Sequence, residues 1–180
     1  MQVTEPSNLA FGEAVVLLLL RSEVTLGDVF SARAAIEIGV GPLAAQRGSA
    51  ADWDLMEERL REFEAALNDR DWKRVELVHA DFHLQILRAL HLPALDLLLE
   101  PMQQIILLTL PPSPEEPEGW ELTTHYPILE ALRAGDEDGV RRALTEHLGW
   151  LDRSEAAARN VPLRETVNIS TLRSLGRANH

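Results

Sequence analysis

The chain has 180 residues, 46% of them hydrophobic, which is enough to bury one core as a single domain. Only 5% are aromatic, and Leu and Ala dominate; few runs of Val, Ile and Thr alternate with period two, so helices packed on helices are expected and a sheet is not. A net charge of -12 and a pI near 4.9 argue against direct contact with phosphate backbones. The absence of cysteine excludes disulfides and thiolate metal sites and fits a cytoplasmic home.

The residues up to Glu13 contain no Lys or Arg, so they do not read as a secretory signal, and the run Val15 to Leu20 is too short to cross a bilayer. No membrane association is expected. A first helix, capped by Ser7 or Asn8, runs to about Arg21. Thr25 or Asp28 opens a second, interrupted by Gly39, Gly41 and Pro42, where a kink is expected. Its inward stripe is Phe30, Arg33, Glu37, Val40 and Ala44, with two charges on an otherwise apolar face. Arg33 and Glu37 read either as an ordinary i,i+4 pair or as pocket residues.

Ser49 caps a third helix whose buried stripe is Trp53, Met56, Leu60, Phe63 and Leu67; nothing on it suggests chemistry. The fourth, Asp71 to Leu90, places Trp72, Val75, His79, Phe82, Ile86 and Ala89 on one stripe, with His83 one turn beyond His79. Imidazoles at i and i+4 stand about 40° apart around the axis and about 6 Å apart along it, close enough to share an ion. Asp81, about 200° around from His79, is poorly placed to join them. A fifth helix from Pro93 to Leu110 is apolar nearly all round, Gln103 and Gln104 excepted, and belongs in a buried position. The loop Pro111 to Pro117 follows.

A sixth helix, about Gly119 to Ala134, turns Leu122, His125, Leu129 and Leu132 inward. Asp136 caps a seventh, with Val140, Ala143, Leu144, His147 and Leu151 on its buried face. The polar tail, 160–180, reads as a short strap or a frayed end.

Four of the six histidines thus fall on apolar stripes: His79, His83, His125 and His147. One inward histidine is usually a core residue with a hydrogen-bond partner, and each left unpaired would cost about 1–3 kcal/mol. A shared divalent cation satisfies all four lone pairs together. Neutral imidazole suits Zn or Ni first, with Fe, Cu or Mn as further options.

Three stretches carry a family resemblance: SARAAIE with LAAQR, the step His79-Ala80-Asp81-Phe82-His83, and HYPILEALRAGD from His125, with His147 placed 22 positions later. Over residues 9–159 the chain resembles the FCD effector-binding domain of FadR-like GntR transcriptional regulators. The resemblance implies an all-α antiparallel bundle of about six to seven helices around a central metal and ligand pocket. It also implies a divalent metal held by one Asp and three His, with a small carboxylate effector completing the coordination. His83, His125 and His147 match the three histidines, and His79 stands where the family has Asp. That exchange raises the net charge of a divalent site by one, which favours anions and disfavours hard ions such as Mg or Mn.

The function expected is effector sensing rather than catalysis. A small organic acid would bind the metal, with Arg33 as a second anchor and Glu37 and Gln104 as further pocket residues. Homodimerisation is implied, with operator DNA bound only through an attached winged-helix domain absent from this sequence; residues 1–8 would be the residual linker to it. The rival reading is a metal-dependent hydrolase or lyase with a bound water as nucleophile and Glu37 as base.

Overall fold

The computed structural model describes residues 8–96, 98, 122–149 and 161–166, and every regular element among them is helical. Helices α1 (Asn8–Arg21) and α2 (Leu26–Val40) are followed by a 3-10 turn (Gly41–Leu43) and the short α3 (Ala44–Arg47). Then come α4 (Ala50–Asp69), α5 (Trp72–Arg88), a 3-10 turn (Leu122–Thr124), α6 (Tyr126–Ala134), α7 (Glu137–Gly149) and α8 (Leu163–Thr166).

Local chemistry sets the boundaries. Thr25 and Ser49 each form a reciprocal capping box, with Asp28 and Asp52 respectively. The Asp71 carboxylate accepts from the Arg74 N–H at 3.2 Å and that of Asp136 from the Gly139 N–H at 2.8 Å. Between α4 and α5, Arg70 takes a left-handed backbone (φ 54°), and between α6 and α7 Gly135 does the same (φ 69°). These tight reversals fold α4 with α5 and α6 with α7 into antiparallel hairpins.

The hairpins bury a common core. Met56 and Leu60 of α4, Ile86 of α5, Ile128 of α6, and Val140 and Leu144 of α7 are all fully buried in one cluster with Phe82. Each such aliphatic side chain contributes roughly 1.5–3 kcal/mol on burial. The interruption expected near Gly41 and Pro42 is the 3-10 turn, and it lets the end of α2 press against α5 and α7. A Cβ on Gly41 would stand 2.9 Å from Leu144 Cδ1 and 3.4 Å from Ile86 Cγ2.

Two points compare directly with the sequence reading, the first a departure that bears on the site. First, His125 does not lie inside a helix. It is the residue just before α6, preceded by the 3-10 turn, because Pro127 in the first turn of α6 lacks an N–H and fixes the helix start beside it. Second, the strap alternative describes 161–166 of the tail. Leu26 N–H donates to Val161 C=O at 3.1 Å, Leu163 N–H donates to Val24 C=O at 2.9 Å, and Leu163 is fully buried against Val16, Leu26, Val29 and Phe30. Gln103, Gln104, Leu151 and most of the expected fifth helix lie outside the described residues.

Candidate metal and effector site

The capped start at Asp71 fixes the phase of α5, so that His83 is buried and His79, one turn earlier, stands partly exposed beside it. The 3-10 turn delivers His125 with no capping bond to its side chain, leaving the ring directed inward, and α7 adds His147 from its last turn. One ligand atom from each of the four imidazoles lies within 4.8 Å of every other. Ring centroids are 4.7 Å apart for His79 and His83, 5.0 Å for His79 and His125, and 4.2 Å for His125 and His147. Phe63 and Phe82 line the cluster, with centroids 5.2 and 5.3 Å from that of His125. The third predicted helix, read as purely structural, thus supplies a wall of the site.

A chain of buried polar contacts runs from α2 into the cluster. Arg33 Nε donates to Glu37 Oε1 at 2.6 Å, and Glu37 Oε2 stands 2.6 Å from His83 Nδ1. Burial by itself would raise the Glu37 carboxyl, but the charges of His83 and Arg33 and their hydrogen bonds override it and lower its pKa to about 2. An ionised carboxylate only accepts, so His83 carries its proton on Nδ1 and turns the Nε2 lone pair inward. That Nε2 lies 3.0 Å from His147 Nε2, while His147 Nδ1 lies 2.9 Å from Thr124 Oγ1.

The Thr124 hydroxyl can donate or accept. When it donates, His147 Nε2–H bonds to His83. When it accepts, two lone pairs face each other across 3.0 Å, the arrangement a cation resolves.

Protonation is disfavoured at His79, His83 and His147. Burial lowers the His79 pKa well below its usual value, reinforced by His83, His125, Arg33 and His147. It lowers His147 too, with help from His83, His125 and Arg33. His83 is lowered by burial despite the opposing pull of Glu37. Neutral rings are the ligating form. Tetrahedral bonds of about 2.1 Å set donor atoms about 3.4 Å apart, so rings whose donor atoms lie within 4.8 Å of one another would draw together around an ion, and four neutral imidazoles suit a divalent transition metal.

The structure thus brings together His79, His83, His125 and His147, with Arg33 and Glu37 behind them; Gln104 lies outside the described residues. Thr124 was not anticipated, since no spacing ties it to a histidine 23 positions away. Glu37 holds His83, and both its oxygens are engaged. Arg33 is only 9% exposed, and its Nη2 is buried with no hydrogen-bond partner among the described residues.

Among solved structures, the GntR protein of Streptococcus agalactiae shares the fold with a TM-score of 0.59 at 24% identity, over 71% of this chain and 58% of that one. The chain therefore spans somewhat more than half the length of that neighbour. No curated protein matches. No described helix is long and apolar enough to cross a membrane. The family profile of the FCD domain matches residues 28–149, the span that contributes all four histidines, Arg33 and Glu37, and the chain belongs to the FCD domain family.

Proposed function

We propose that this chain is a metal-dependent sensor of a small carboxylate, serving a GntR-type transcriptional regulator through an attached winged-helix domain. The observation that carries this reading is the convergence of four imidazoles in a buried cluster, one of them fixed in its ligating tautomer by Glu37. His79, His83, His125 and His147 would hold a divalent transition metal, Zn or Ni first. The metal supplies a Lewis-acidic anchor for the carboxylate. Arg33 offers a second donor, its Nη2, to the same ligand. Effector binding would change how two such domains sit in a C2 homodimer, and so the spacing of the DNA-binding domains they carry.

A hydrolytic reading needs a base beside the cluster. Glu37, the carboxylate in contact with the rings among the described residues, is held by Arg33 and His83, which favours sensing over catalysis.

Thermal unfolding tests the reading. Metal-loaded protein titrated with a panel of small carboxylates is expected to rise in Tm with at least one of them, the shift corresponding to a stabilisation of about 2.7 kcal/mol at a hundredfold excess over Kd. The rise should vanish after chelation. Equal shifts with and without metal, or steady turnover of an acid by the loaded protein, would contradict it.

A further inference from the structure

Resting on that metal-sensor reading, we infer that the site is built for a dianion, a small molecule with two carboxylates, rather than for a monocarboxylate. Charge balance is the first argument. The four donors in the cluster are imidazoles, and among the described residues no carboxylate joins them. Glu37 stands behind His83, 2% exposed, with its charge already matched by Arg33 at 2.6 Å. A divalent ion held by neutral rings therefore keeps its full double charge in a buried setting. Uncompensated buried charge is costly. A monoanion removes half of that excess, and a dianion removes all of it.

The second argument is a second anchor. The Arg33 side chain is committed to Glu37 through Nε alone, and its Nη2 is buried with no hydrogen-bond partner among the described residues. The guanidinium fork is suited to a planar carboxylate. A loaded site would thus hold two attachment points for negative oxygen, the ion and Arg33, whose charge already bears on His79, His83 and His147. Phe63 and Phe82 line it with apolar surface that rewards neither water nor a dangling charge. A ligand with one carboxylate at each end uses both points.

The probes are oxalate, malonate and succinate, each compared with its own monomethyl ester, which keeps the skeleton and removes one charge. Metal-free protein is reloaded with one equivalent of Zn(II), its retention is measured, and each compound is titrated calorimetrically. At one chain length or more the diacid is expected to bind about tenfold or more tightly than its ester. His79→Asp adds a negative charge to the cluster and should shrink that ratio; His79→Asn keeps the ring position neutral and should preserve it.

Esters that match their diacids at every length overturn the proposal, as does a loaded protein that binds neither. A ratio untouched by His79→Asp assigns the preference to shape and overturns it equally. Failure of the wild-type chain to retain Zn(II) is seen before any acid is added, and it removes the sensor reading together with the dianion.

Discussion

At the scale of single residues, Glu37 has the most leverage on the site without belonging to the histidine cluster. Its carboxylate fixes the His83 tautomer and raises the basicity of the inward nitrogen, while Arg33 keeps it ionised. Glu37→Gln removes the charge and keeps the shape. Competition titration with a chromophoric chelator should show Zn(II) affinity falling about 10–100-fold, the usual effect of losing such an outer partner. An unchanged affinity would leave Glu37 a purely structural neighbour of Arg33. The His79 and His83 pair was legible in the sequence because i,i+4 spacing is a property of one helix. The contact of Glu37 with His83 was not, since 46 positions and a tertiary crossing separate them. Arg33 and Glu37 could be read only as unusual charges on an apolar stripe; what they touch depends on how α2 meets α5.

At the scale of elements, helix starts were the most legible features. Ser49 and Asp136, read as caps, and Thr25, one of two residues read as opening α2, cap through atoms within three residues, so the sequence carries the whole interaction. The start of α6 is not legible in this way, because an apolar stripe continues upstream past Pro127, whereas backbone donors, not the stripe, decide where a helix begins. The docking of 161–166 was legible only as one of two alternatives. A single Leu in a polar tail gives no periodicity, and its burial depends on a groove made by α1 and α2.

That small cluster is separate from the main core, which gives a test. Leu163→Ala should destabilise the protein by about 2–4 kcal/mol. Hydrogen exchange should quicken around Val16, Val29 and Phe30 while Met56, Leu60 and Ile86 stay protected. Uniform loss of protection would mean that the strap and the core unfold together.

At the scale of the whole molecule, an acidic surface encloses neutral rings beside one buried ion pair, and pH reports on that contrast. His79, His83 and His147 all have folded-state pKa values lowered from the usual 6.5 by burial first, so the unfolded chain takes up protons that the folded one refuses. Glu37, lowered from 4.5 to about 2, works in the same direction at lower pH. The stability these groups contribute is present at neutral pH, begins to fall as pH drops below 6.5, and falls further through the carboxylate range. Denaturant midpoints of metal-free protein should therefore be nearly level around pH 8 and decline from about pH 6.5 to about pH 5. A flat or rising midpoint would show that the rings accept protons when folded.

The family assignment rests on the 28–149 match and on the shared helical architecture. The ion at the centre of the cluster has its own direct test. Protein purified without an affinity tag, dialysed and analysed by inductively coupled plasma mass spectrometry should carry one divalent transition metal per chain. His83→Ala and His147→Ala variants that remain folded should lose it. Metal-free wild-type protein that takes up no stoichiometric Zn(II) or Ni(II), or variants that retain the ion, would contradict the account.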